Sequence, residues 1–116
     1  IVHFNLAVSF RDNGETAAAV TRLEQAVAYD STQLKALNLL GAMYQEQNAL
    51  DKAEKCYRAV VARDPGYGMA HFNLGAVAWA RADYAAAAQH FADAVEVSPG
   101  VNYFAKWLSK AQARVP

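Results

Sequence analysis

The chain has 116 residues, 54% of them apolar, with eleven basic residues set against eleven acidic ones. That length suits one compact domain or a short repeat array, and the balanced charge argues against a dedicated nucleic-acid surface. No apolar run reaches the roughly 18 residues a membrane span needs, and a lone cysteine, Cys56, excludes an internal disulfide or a multi-cysteine metal site.

One cysteine fits cytosol and periplasm alike. The charge is unevenly spread: Lys106, Lys110 and Arg114 close the chain with no acid among them. Residues 1–97 are left with eight basic and eleven acidic side chains, a net −3.

The first predicted element, a helix over 2–13, carries Val2, Leu6, Ser9 and Phe10 on one largely apolar stripe. Nothing before it covers that stripe, which predicts earlier repeats in a longer chain or self-association through this end. The start at Ile1 rather than methionine predicts the same: a fragment or processed form, with any targeting signal elsewhere. Helices follow over 15–29, 34–47, 50–63, 68–81, 84–97 and 102–114, and no segment alternates with period two over strand length. Asp64-Pro65-Gly66 and Ser98-Pro99-Gly100 end the helices before them, because proline cannot continue a helix and glycine releases the backbone. At the other turns, Gly14 and Asn48 tolerate a left-handed backbone. Ala82 stands in the same place without that tolerance, and Asp83 beside it is positioned to cap the next helix.

The helices repeat. Leu40-Gly41 returns 34 residues on as Leu74-Gly75, and His3-Phe4-Asn5-Leu6 returns as His71-Phe72-Asn73-Leu74 after 68, twice that interval. Ala19, Ala53 and Ala87 share the spacing, as do Leu23, Tyr57 and Phe91, and then Ser31, Pro65 and Pro99. A fixed period of this length marks a solenoid, in which each unit buries its apolar face against its neighbours. Units over 1–33, 34–67 and 68–101 then precede a closing helix at 102–116, all within one domain. Gly41 and Gly75 let the first helix of a unit approach a neighbouring backbone, and Ala53 and Ala87 do so for the second. Leu40 with Tyr57, and Leu74 with Phe91, fill the space between. In the last helix Phe104, Leu108 and Ala111 pack inward while Lys106 and Lys110 face water, as in a solubilising cap.

Leu37-x-x-Leu40-Gly41-x-x-Tyr44 with Ala53, Tyr57, Val60 and Pro65 forms one set of slots; His71-x-x-Leu74-Gly75-x-x-Ala78 with Ala87, Phe91, Ala94 and Pro99 forms another. Together they resemble the tetratricopeptide repeat, and the resemblance covers the whole chain. The first unit follows more loosely, through His3, Leu6, Ala7, Phe10, Ala19, Leu23, Ala26 and Ser31. The resemblance implies an all-α, right-handed solenoid of antiparallel helix pairs whose concave groove holds a peptide or helix of a partner protein. It places that groove on Phe4, Asn5, Val8, Arg11 and Asp12 in the first unit. In the second it selects Lys35, Asn38, Leu39, Ala42, Gln45 and Glu46, and in the third Met69, Phe72, Asn73, Ala76 and Trp79. Tyr103, Lys106, Trp107 and Lys110 join them if the last helix keeps the register.

The resemblance implies that asparagine in the Asn5 and Asn73 slot bonds the backbone of a ligand, donating and accepting at once; the alternative is a simply solvated side chain. Phe4, Phe72, Trp79 and Trp107 either line the groove or pack between repeats. Family members that clamp a chaperone's terminal carboxylate use lysine and asparagine where this chain has Phe4 and Val8, and a basic pair where it has Met69 and Asn73. The clamp is absent, although an acidic ligand end would still find Lys106 and Lys110.

Catalysis finds no constellation here. His3 and His71 occupy large apolar slots and read as packed residues. Cys56 and His90 share a repeat position on the face the resemblance makes convex, with no third group to orient them. Asp51 and Glu54 with Lys52, Lys55 and Arg58 form a helix face of ion pairs. No phosphate loop or metal-ligand spacing appears, so no cofactor is expected. Three functions remain: a protein-binding adaptor; a non-catalytic, substrate-delivering stretch of a larger glycosyltransferase-like enzyme; and a self-assembling scaffold of a bacterial secretion, pilus or organelle system.

Overall fold

The computed structural model describes residues 16–30 and 33–115. Six helices run through them: α1 (Thr16–Tyr29), α2 (Leu34–Glu46), α3 (Leu50–Arg63), α4 (Gly68–Ala80), α5 (Tyr84–Val97) and α6 (Asn102–Arg114). The fold is all-α, and the helices from α2 onward begin at the residues the sequence predicts. The expected helix at 2–13, with its Val2 to Phe10 stripe, and Gly14 lie outside the described residues. The chain forms two compact units, Ile1–Ala59 and Val60–Pro116, which divide inside α3.

In the first unit α1 packs on α2. Ala19, Leu23 and Ala26 are buried on α1, and Leu37, Leu40, Met43 and Tyr44 on α2, the three- and four-residue spacing of a helix with one apolar face. Tyr57 of α3 is buried completely. A Cβ added to Gly41 would meet its ring at 2.6 Å from Cε1. In the second unit α5 packs against both α4 and α6, and a Cβ on Gly75 would sit 2.5 Å from Cδ1 of Phe91. This corrects the expectation that the two glycines admit a neighbouring backbone. They make room for an aromatic ring standing on the next helix, so glycine and ring form one packing unit.

The turns explain the helix ends. At the end of α2, Asn48 N–H donates to the Gln45 carbonyl at 2.9 Å and Ala49 N–H to the Tyr44 carbonyl at 2.8 Å. At the end of α4, Ala82 N–H donates to Trp79 and Asp83 N–H to Ala78, both at 2.9 Å. This paired pattern satisfies two terminal carbonyls, and it requires a left-handed residue between helix and continuation. Asn48 and Ala82 accordingly both sit at φ 59°. Asparagine accepts that conformation readily, whereas alanine's Cβ is strained by about 1–2 kcal/mol. Because glycine gives back part of this relief as unfolded-state freedom, Ala82→Gly is expected to stabilise the chain by roughly 0.5–1 kcal/mol. Urea unfolding of the two proteins measures it, and a less stable variant would contradict the strain.

Asp83 then caps α5 as expected, its Oδ1 accepting from Ala86 N–H at 3.2 Å. His71 departs from its expectation as a packed side chain. It is half-buried and its Nε2–H donates to the Pro65 carbonyl at 2.7 Å, tying α4 to the turn that precedes it.

Candidate interaction surface

The second unit gathers most of its aromatic side chains at one place. Phe72, on α4, stacks on Phe104 of α6 at 5.1 Å between centroids, meets Phe91 of α5 at 5.2 Å, and takes the edge of Tyr103 at 5.2 Å. Two turns along α4, Trp79 stands edge-to-face with Trp107 of α6 at 5.2 Å and with Tyr84 of α5 at 5.0 Å. Spacings of this size with tilted or perpendicular planes are those aromatic quadrupoles prefer, so the rings hold one another in fixed orientations. Between them lies a hollow of about 410 Å³ lined by Phe72, Ala76, Trp79, Phe91, Tyr103 and Trp107. Ala76 is what opens it, since any larger side chain there would project into the space.

A second hollow, of about 450 Å³, lies on the other side of the two tryptophans and is lined by Trp79, Trp107, Lys110, Ala113 and Arg114. The Trp79–Trp107 pair is therefore a ridge shared by both. Lys110 Nζ sits 4.5 Å above the Trp107 ring, and the Arg114 guanidinium lies 5.1 Å from Trp79 and 5.2 Å from Tyr84. Arg114 also donates to the Tyr84 hydroxyl at 3.2 Å. These cation–ring contacts fix long side chains that would otherwise sweep freely.

Five residues expected in the groove, Phe72, Ala76, Trp79, Tyr103 and Trp107, thus come together around one hollow, and Lys110 borders the next. Both readings of the aromatics hold in part, for Phe72, Trp79 and Trp107 pack on the core beneath and expose one side. Met69 is exposed and does not line that hollow, but its sulfur accepts from the Tyr103 hydroxyl at 2.9 Å. Asn73 is half-buried on α4, and Lys106 is exposed on α6. Phe91, assigned to the core from its repeat slot, is buried yet contributes to the hollow's lining. Arg114 and Tyr84 were missed. A signal existed in the four-residue spacing of Lys110 and Arg114, which puts both on one helical face.

In the first unit, Lys35 is exposed while Asn38, Leu39 and Ala42 are half-buried on α2. Phe4, Asn5, Val8, Arg11 and Asp12 lie outside the described residues. This unit contains a polar cluster instead. The Tyr44 hydroxyl donates to the Glu24 carboxylate at 2.5 Å, and the Tyr57 hydroxyl donates to Gln45 Oε1. Burial, and then the negative charge of Glu24, pushes the neighbouring Cys56 thiol up to about 11. Such a thiol is protonated at neutral pH and a poor nucleophile. Among the described residues no group of three or more His, Cys, Asp or Glu side chains is placed to hold a metal ion, and no helix is long and apolar enough to cross a membrane.

A family model described as tetratricopeptide repeat matches residues 4–66 and 44–102. The chain belongs to the tetratricopeptide repeat family. It is 34% identical over 113 residues to Protein O-mannosyl-transferase Tmtc3 of Drosophila melanogaster, an alignment covering 97% of this chain but only 12% of that protein. Solved structures share the fold at low identity. The first repeat domain of Spaghetti (RPAP3), bound to the HSP90 peptide SRMEEVD, superposes with a TM-score of 0.90 at 17% identity, over 97% of this chain and 89% of that one. The Sgt2 domain from Aspergillus fumigatus gives 0.89 at 18%, over 97% and 76%. The MamA protein gives 0.89 at 20%, over 97% and 61%.

Proposed function

We propose that the chain is a non-catalytic protein-interaction module, which holds a segment of a partner protein against the aromatic hollow of its second unit. In this reading 1–33, 34–67 and 68–101 are three repeats and 102–116 is the closing helix. One observation carries it: five residues expected in the groove line an open, almost wholly apolar hollow whose rings are already fixed by one another. A rigid lining loses little entropy when a guest arrives, so contact area is converted into affinity. The peptide carried by the RPAP3 domain, on the same fold, supports a peptide guest here. Asn73, Lys106 and Met69 lie along the same two helices and would take secondary contacts.

Peptides selected from a random display library on this chain provide the test. Ala76→Trp fills the hollow and Trp79→Ala removes one wall. Each is expected to weaken the selected peptides by about tenfold or more while far-ultraviolet circular dichroism stays unchanged. Equal affinity for both variants and the native chain would place the binding elsewhere.

The similarity to Tmtc3 favours a second reading, in which the chain is the repeat portion of a longer transferase-like protein and delivers a polypeptide to a separate catalytic domain. Fusing the chain to an unrelated transferase domain would then raise turnover of substrates bearing a selected peptide over substrates lacking it. No difference between the two would count against delivery.

A further inference from the structure

The ridge formed by Trp79 and Trp107 separates two unlike hollows, one apolar and one bordered by Lys110 and Arg114. Among the described residues neither cation meets a carboxylate, and residues 97–116 contain no acid at all. Both are instead held by rings: Lys110 over Trp107, Arg114 over Trp79 and Tyr84. This combination is unusual for a merely solvated face. A surface cation usually has a mobile side chain, which makes its ion pairs weak. Here, among the described residues, the charge meets no acid and its position is already set. The guanidinium spends one donor on the Tyr84 hydroxyl and keeps the rest of its planar fork, the geometry that matches a carboxylate. Lys106, one turn before Lys110, extends the positive stripe along exposed α6.

We infer that the ridge receives an acidic amphipathic segment of a partner protein, with one bulky apolar side chain in the hollow over Phe91 and carboxylates against Lys110 and Arg114. The inference rests on the proposed function and gives its guest a chemistry. The two cations are four residues apart on a helix, roughly 6 Å along its axis. Carboxylates four apart on a guest helix meet that spacing, so the apolar anchor and the acids occupy adjacent stripes of one helix. Charge complementarity of this kind selects among apolar guests that the hollow alone would accept equally.

The random display library tests it directly. Peptides selected on the native chain are expected to pair an excess of aspartate and glutamate with one large apolar residue, and to lose affinity as salt is raised. The double variant Lys110→Glu/Arg114→Glu is expected to weaken them by about tenfold, and lysine in place of the peptide's acids restores binding to that variant. The single exchange Lys110→Gln, at an exposed position, gives a smaller loss and guards against misfolding of the double variant. Selected peptides without an acidic excess, bound with salt-independent affinity, would overturn the acidic guest and leave the apolar hollow standing as a binding site. Peptides that bind the Ala76→Trp chain as well as the native one would remove both.

Discussion

Replacing Phe91 by alanine is expected to lower the free energy of unfolding by roughly 3–5 kcal/mol. The ring is 1% exposed, lies 5.2 Å from Phe72 and 6.2 Å from Trp107, and fills the notch above Gly75. Its loss leaves a cavity bounded by side chains that are themselves wedged, so collapse around it is limited and the cost falls at the upper end. The reverse change in volume, Gly75→Ala, drives a methyl into that ring. Overpacking of this kind costs roughly 1–3 kcal/mol when the obstructed group cannot move. The two effects are not independent: Gly75→Ala with Phe91→Leu should lose less than the sum of the single variants, because the smaller side chain vacates the space the methyl needs. Urea unfolding read by circular dichroism gives all four free energies. A Phe91→Ala loss below about 1 kcal/mol would mean that the ring is not seated as described. The same variant removes the inner surface of the apolar hollow, so any protein that still folds should bind selected peptides poorly.

That coupling between core and surface marks where the sequence was readable and where it was not. Helix limits were legible because local chemistry sets them. Pro65 and Pro99 cannot continue a helix, Asp83 supplies a cap, and Asn48 accepts the left-handed turn. Ala82 shows the limit of that logic: nothing in alanine favours φ 59°, yet the turn imposes it because the chain must reverse there and two carbonyls are satisfied when it does. The glycines were read in the right role with the wrong neighbour, since a periodic pattern reports that a position must be small and not which group occupies the space. Phe91 was hidden for a related reason. Its repeat slot predicts burial, and a side chain can be buried from bulk water while still lining a hollow. Arg114 could not be placed from its spacing alone, because its partners Tyr84 and Trp79 stand on two other helices.

The first unit should lose stability in alkali, by an amount that identifies its polar cluster. Cys56 has an ordinary value of 9.0 and is pushed up to about 11, chiefly by burial and then by Glu24. Tyr44 and Tyr57 are both held above the ordinary 10.0. Burial is the larger cause in each, followed by the bond to Glu24 for Tyr44 and the Cys56 charge for Tyr57. In all three the folded chain keeps its proton more tightly than the unfolded chain does. Stability is therefore intact below pH 9.0, begins to fall as the unfolded thiol ionises, and falls faster above 10.0 as the two phenols follow. Each group contributes a slope of at most about 1.4 kcal/mol per pH unit within its window. Denaturation midpoints at a series of pH values from neutral to about 11 would show a two-stage decline. Cys56→Ala should remove the first stage and leave the second. Tyr44→Phe should reduce the second at little cost near neutrality, because Glu24 is exposed and water replaces the lost hydroxyl. A midpoint that stays level through this range would mean that these three side chains are solvated in the folded chain, and the tight seat of Tyr57 against Gly41 would fall with them.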